Sequence, residues 1–342
     1  MIADLSNPAL FGAFAVAAGL ILGAGMRMAG LADRLADRTG LGEALVGAVL
    51  LGAATSLSGT VVSFTSALDG RASLAFSNAV GGIAAQTAFL ALADLLHRRA
   101  NLEHAAAELA NVFQGALLVL LLTLPVLAFA GPEVTFLGLH PVSFALPVLY
   151  IWGLRATRTV REFPMWKPVQ TAGTRSDDPE QDDDPSRSTA AIAAEFAGLM
   201  ALMGAAGWIV AQAGGQMTDR LGLSASLVGA LLTAVATSLP ELVTTLAAVR
   251  RRALQLAVGG IVGGNTFDTL FLAISDAGYR DGSLYHAVSS QDLFWLGIGL
   301  VMTVILLMGQ ILRQKDGPAG IGLESVALLT VYGGAIVVQI LI

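Results

Sequence analysis

Apolar residues run along this chain in blocks of about twenty, separated by short polar or glycine- and proline-containing breaks. Those blocks predict helices near 8–30, 42–68, 72–96, 105–130, 136–158, 190–213, 224–249, 253–275, 287–312 and 320–341. Each is long enough to cross a bilayer core, which takes roughly 20 apolar residues in an α-helix. The expected fold is therefore an all-α polytopic membrane protein with about ten transmembrane helices. Composition agrees: 55% of the 342 residues are hydrophobic and 13% are charged, against about 25% charged in a soluble domain. No basic stretch precedes the first apolar run, so it reads as a span and not as a cleavable leader.

Basic residues give the orientation. Connections that follow odd-numbered spans carry sixteen of the 19 lysines and arginines, and the opposite side holds only Arg71, Arg220 and Arg280. Cytoplasmic loops are the basic ones. Both termini are then expected outside, and the longest connection, 160–189, is cytoplasmic. A prokaryotic plasma (inner) membrane is the expected location. That connection holds Asp177, Asp178, Glu180, Asp182, Asp183 and Asp184, and reads as a solvated linker. His97, His104, His140 and His286 lie near helix ends, where solvated or interfacial positions are expected. Trp152, Trp166, Trp208 and Trp295 sit where aromatic belts form. Asp94, Glu195 and Glu324 also lie near helix ends, outside the expected site.

The two halves share one register, with a constant offset and no gap. Leu45-Val46-Gly47-Ala48 matches Leu227-Val228-Gly229-Ala230, and Ala54-Thr55-Ser56-Leu57 matches Ala236-Thr237-Ser238-Leu239. Val80-Gly81-Gly82 matches Val262-Gly263-Gly264, and Asp94 pairs with Asp276. Each half (1–159 and 190–342) has five predicted spans. An odd number sends the second half through the membrane in the opposite sense, which gives two inverted five-helix repeats. In secondary transporters built this way, ions bind near the midplane where the repeats meet.

Most acidic residues fall in connections or near helix ends, but Glu241 and Asp268 fall mid-span. A carboxylate at that depth costs several kcal/mol unless a cation or proton compensates it. Thr237 and Glu241 are four residues apart and share a helix face, as do Gly264 and Asp268. Ser238 adds a hydroxyl, and Pro240 breaks the hydrogen-bond ladder and frees a carbonyl. Carboxylates, hydroxyls and carbonyls are the ligands that sodium and calcium prefer. The chain has no cysteine, so disulfides and thiolate sites are excluded. No nucleophile–base constellation or phosphate loop points to an enzyme, and nothing points to a nucleic-acid partner.

Ala236-Thr237-Ser238-Leu239-Pro240-Glu241-Leu242, followed by Gly263-Gly264-Asn265-Thr266-Phe267-Asp268, resembles the second α-repeat of the sodium/calcium (cation/calcium) exchanger superfamily. The first repeat would be Ala54-Thr55-Ser56-Leu57-Ser58-Gly59 with Gly81-Gly82-Ile83-Ala84-Ala85-Gln86. The resemblance implies a secondary antiporter with alternating access. Its metal ligands would be Glu241, Asp268, Thr237 and Ser238 from the second repeat, and Thr55, Ser56 and Gln86 from the first. It implies no cofactor: the partners are inorganic cations and the lipid bilayer, and the transported ions are Ca²⁺ and/or Na⁺, with protons as a third option. The first repeat is degenerate. Gly59 stands where the family keeps a glutamate, Ser58 replaces its proline and Ile83 its asparagine. With about two acids, the site differs from the ordinary one in stoichiometry or substrate. A monovalent cation/proton antiporter and a transport-inactive scaffold or sensor remain the alternative readings.

Overall fold

The computed structural model describes residues 2–39, 52, 54–97, 101–106, 108–169, 171, 188–251, 253–314 and 321–341. The acidic cluster between 177 and 184 and the start of the second expected span lie outside them. The elements are α1 Asn7–Thr39, α2 Leu57–Leu68, α3 Ala72–His97, α4 Leu109–Ala130, α5 Pro141–Glu162 and α6 Thr189–Leu221. They continue with α7 Ala225–Thr237, α8 Leu239–Arg251, α9 Leu254–Asp268, α10 Leu270–Gly278, α11 Ser290–Leu312 and α12 Leu323–Leu341. Among the described residues, seven helices, with α9 and α10 taken as one, are long and apolar enough to cross a membrane. The pair α7 and α8, bent by 45°, makes an eighth. Helix α5 has 22 residues but is less apolar, because Arg155, Arg158 and Arg161 crowd its last turns.

The helix ends follow local chemistry. Ser188 and Ser224 accept backbone N–H groups at the starts of α6 and α7, which satisfies donors that a helix leaves open. Ser289 and Asp292 form a reciprocal capping box on α11. Gly222 ends α6 in the left-handed region, φ 65°, where a side chain would be strained.

Bounds in the two halves coincide at the offset read from the sequence. Helices α1, α2, α3 and α5 start at 7, 57, 72 and 141, and α6, α8, α9 and α12 start at 189, 239, 254 and 323. Helix α3 lies at the centre, with its whole apolar window buried. Around it lie α2, α7, α8, α9, α11 and α12. Helices α1 and α6, 33 residues each, pack against one another on the outside. Each is about 50 Å long, more than a bilayer core needs.

Asp94 and Asp276 show what joins the halves. Asp94 accepts from the Leu102 and Gly322 amides at 2.8 and 3.1 Å. Asp276 accepts from the Leu284 and His140 amides at 2.9 and 2.8 Å. The internal offset that carries Asp94 onto Asp276 also carries Leu102 onto Leu284 and His140 onto Gly322. Each aspartate therefore ties one loop of its own half to one loop of the other. Both carboxylates hold connections together through backbone amides.

Other polar residues sit differently from expectation. Trp295 is fully buried, and its indole N–H donates to Gln339 Oε1 at 2.7 Å; it belongs to the core and not to a belt. His104 and His140 are 6% exposed. His104 Nδ1 meets the Arg313 carbonyl at 2.7 Å, and the His140 ring packs edge-on to Tyr285. Both stitch connections together. Among the minority basic residues, Arg71 donates twice to Asp219 and Arg220 holds the Ala3 and Leu5 carbonyls.

Asp276→Ala leaves the buried His140 and Leu284 amides and the Ser143 hydroxyl, 2.7 Å away, without their acceptor. An unsatisfied buried donor costs about 1–3 kcal/mol, so Tm in detergent should fall clearly. Asp276→Asn, which keeps one acceptor oxygen, should fall less. Equal melting of all three proteins would contradict this role.

Candidate functional site

Two broken helices build the site. The α7–α8 span breaks at Ser238, and in the first half the chain turns at Ser56 just before α2. Pro240 sits in the first turn of α8, where its missing N–H is tolerated. Close approach by the outer helices fixes both breaks. A Cβ on Gly25 of α1 would fall 2.4 Å from Pro240 Cβ, and one on Gly207 of α6 would fall 2.7 Å from the Ser58 carbonyl oxygen. Gly25 and Gly207 are themselves related by the internal offset, so each outer helix seats the break of the opposite half.

Glu241, Asp268, Thr237, Ser238, Thr55, Ser56 and Gln86 are all buried, each at 5% exposure or less. The structure brings all seven together. The Ser56 hydroxyl donates to Glu241 Oε1 at 3.5 Å and also meets Asp268. Thr55, whose Oγ lies 3.2 Å from the Gly52 carbonyl, flanks the Glu241 carboxylate as well. Gln86 Nε2 donates to Asp268 Oδ2 at 2.7 Å and to Ser238 Oγ at 3.2 Å. Thr237 donates to the Thr233 carbonyl at 2.9 Å, which leaves its oxygen lone pairs free to accept.

Several oxygens remain without a partner among the described residues: Glu241 Oε2, Asp268 Oδ1, Gln86 Oε1 and Asn265 Oδ1. Among the described residues, no ion pair involves Glu241 or Asp268, and no three His, Cys, Asp or Glu side chains come together. The site is thus two buried carboxylates, amide oxygens and hydroxyls, with no cationic side chain among the described residues. Acceptor-only oxygens in a dry interior call for a cation or a proton.

The internal offset pairs Gly59 with Glu241 and Gln86 with Asp268. Gly59 leaves no gap. A Cβ there would lie 2.8 Å from the Phe271 ring and 3.6 Å from Thr237 Oγ. Phe271, 3% exposed, fills the space where a first-half acid would project. Gln86 keeps the place of an acid but turns an N–H toward Asp268, and so uses one carboxylate oxygen.

Sequence reasoning missed three contributors. Asn78 donates to the Gly59 carbonyl at 3.2 Å and to Ser63 Oγ at 2.9 Å, and accepts from Thr233 at 2.8 Å. It thus ties the first break to α7. Ser58 donates to the Thr237 carbonyl at 3.4 Å. Phe271 is the third. Asn78 could have been flagged as a polar residue inside an apolar run; a buried phenylalanine carries no such signal.

Fold and site together define an integral membrane protein built like a cation antiporter. A sequence model of the sodium/calcium exchanger protein family matches residues 9–154 and 191–341. The chain belongs to that family, a family of cation/calcium antiporters and not of enzymes. The starts of the two matched segments are related by the same internal offset. The chain is similar to the sodium/calcium exchanger MaX1 of Methanosarcina acetivorans, with 29% identity over 106 residues. That alignment spans 29% of either protein. Among solved structures, the sodium-calcium exchanger NCX_Mj soaked with Na⁺ and Sr²⁺ superposes with a TM-score of 0.62 and 18% identity, covering 96% of this chain and 97% of that one. An H⁺/Ca²⁺ exchanger, CAX, superposes with a TM-score of 0.70 and 12% identity, covering 97% and 82%. These likenesses concern the fold.

Gly59→Ala should lower Tm, since overpacking of this kind costs about 1–3 kcal/mol. Adding Phe271→Leu should recover most of the loss. If Gly59→Ala melts like the parent protein, the ring does not occupy the missing side chain's place.

Proposed function

We propose that the chain exchanges one Ca²⁺ for two monovalent cations, Na⁺ or H⁺, by alternating access around Glu241 and Asp268. The carrying observation is the pair of buried carboxylates that, among the described residues, has no cationic partner and keeps one unpartnered oxygen on each. Two carboxylates neutralise one divalent ion or two monovalent ones. A third monovalent ion would meet Coulomb repulsion with no further acid to offset it, and Phe271 and Gln86 occupy the two places where such an acid would stand. Calcium takes roughly 6–8 oxygen ligands. Four carboxylate oxygens, the Gln86 amide oxygen, and the Thr55, Ser56, Ser238 and Thr237 hydroxyls are enough to supply that number.

The ligands in this reading are Glu241, Asp268, Thr237, Ser238, Thr55, Ser56 and Gln86. Segments 1–159 and 190–342 are inverted five-span repeats joined by a cytoplasmic linker, 160–189, with both termini outside a prokaryotic plasma membrane. The shared helix bounds and the reciprocal Asp94 and Asp276 contacts support the repeat. The basic-residue asymmetry supports the orientation. Exchange would proceed by movement of α1 and α6, which seat the two breaks, relative to the helices around α3. NCX_Mj soaked with strontium and the H⁺/Ca²⁺ exchanger CAX share the fold, which supports a divalent ion as substrate and leaves sodium or protons as counter-ion.

Labelled calcium uptake into reconstituted vesicles tests this. An inward calcium flux should follow an outward gradient of sodium or of protons, should not respond to a clamped membrane potential, and should vanish in Glu241→Gln. In the purified protein, calcium at about 100 times Kd should stabilise the parent by about 2.7 kcal/mol and leave Glu241→Gln unmoved. Uptake that grows steeply with membrane potential would contradict the two-for-one stoichiometry. Uptake that survives Glu241→Gln would contradict the site.

A further inference from the structure

Between α4 and α5 the chain runs through residues 131–140, a connection with no lysine or arginine. Its tip is a tight two-residue turn. Phe136 and Leu139 exchange both backbone hydrogen bonds, at 2.7 and 3.1 Å, around Leu137 and Gly138 at φ 54° and 79°. A turn with positive φ at both central positions suits glycine or asparagine. Gly138 meets that need. Leu137 does not, because a bulky side chain is strained there, and it is also 83% exposed. Phe136 is 65% exposed, and Val134 is exposed beside it. Backbone conformation disfavours a leucine at this place, and so does contact with water.

The tip continues the outward apolar surface of the helices it joins. The Phe136 ring packs against Phe144 in α5, with centroids 6.1 Å apart. Phe144, Val148 and Ile151 recur at helical spacing on one face of α5, and all three are exposed. Leu127 and Phe129 are exposed at the end of α4. Glu133, the sole acid of the connection, turns instead to the other half and meets the Ser283 amide at 3.4 Å. The internal repeat supplies a comparison. Its offset sets Val134, Phe136 and Leu137 against Asp316, Pro318 and Ala319, in a stretch that also holds Arg313, Gln314 and Lys315. The same place in the repeat is thus polar in sequence on the linker side and apolar on the opposite side.

We propose that the tip, residues 134–137, inserts into the lipid leaflet opposite the linker, with Phe136 and Leu137 at the boundary between headgroups and acyl chains. Three side chains are too few to hold a second copy of the chain, since a stable protein interface takes roughly 20–30 residues a side. A bilayer needs no such matching surface, and it covers apolar features that continue a spanning face. Aromatic side chains are favoured at that depth. Immersion removes Leu137 from water and offsets the strain of its backbone. At the base of the tip the His140 amide donates to Asp276 at 2.8 Å. The tip therefore anchors α10, as well as α4 and α5, to one leaflet. This inference is independent of whether Glu241 and Asp268 bind a cation.

The absence of cysteine lets a nitroxide label report the surroundings of one position at a time. Leu137→Cys, Val148→Cys and Asp281→Cys are labelled in the full chain and reconstituted into vesicles of phosphatidylcholine and phosphatidylglycerol. Val148 is outward-facing on α5, and Asp281 is exposed in the second-half loop that Glu133 touches. Power saturation then compares oxygen, which concentrates in lipid, with a neutral nickel chelate, which stays in water. The oxygen-to-nickel ratio at Leu137 should exceed that at Asp281 several-fold and approach that at Val148. Val134→Cys, which leaves the turn untouched, should give the same result and decides the matter if the Leu137 variant folds poorly. A ratio at the tip equal to that at Asp281 places it in water and overturns the proposal. Spectral broadening at the tip that disappears on dilution with unlabelled protein also overturns it, in favour of a second copy.

Discussion

Two carboxylates sit in the interior of an apolar helical bundle, and no basic side chain among the described residues shares their charge. Glu241 and Asp268 could each be an acceptable buried acid if every oxygen were hydrogen-bonded, as in Asp276 with three donors. Instead each retains an unpartnered oxygen. An uncompensated pair at this depth would oppose folding by more than a membrane protein's modest net stability allows. The pair therefore calls for a cation or a proton to balance its charge.

The scaffold separates two kinds of buried acid. Asp94 and Asp276, related by the internal offset, are saturated with amide donors and hold the loops of the two halves together. Asp292 is likewise surrounded by hydroxyls from Ser73, Ser77, Ser226 and Ser289. Such fully satisfied carboxylates can rigidify a fold. The site acids are left open by contrast, on broken helices whose ends are seated by glycines of α1 and α6. The breaks are held both by this close packing and by the Ser58 and Asn78 hydrogen bonds to the Thr237 and Gly59 carbonyls.

Much of this was legible in the sequence. Apolar runs marked the helices, and the constant offset between the halves anticipated matching helix bounds. Glu241 and Asp268 stood out because a mid-span acid is costly. Of the seven residues named on pattern and resemblance, Glu241, Asp268, Ser238, Thr55, Ser56 and Gln86 contact one another, with Thr237 beside Ser238 in the chain. Other features were not legible, because they depend on partners distant in sequence. Trp295 looked like a belt residue, yet Gln339 satisfies its N–H in the core. His104 and His140 looked solvated, yet they pack inside the connections. Gly59 read as a missing ligand, and only its distance to Phe271 shows that the space has been filled.

The most direct measurement is anomalous scattering from crystals soaked in strontium, a divalent stand-in for calcium with a strong signal. One dominant peak is expected between the Glu241 and Asp268 carboxylates, near the Ser56 and Ser238 hydroxyls, with no such peak in crystals of Glu241→Gln. A peak elsewhere in the bundle, or an empty site at saturating strontium in the parent protein, would contradict a cation site built on these two acids.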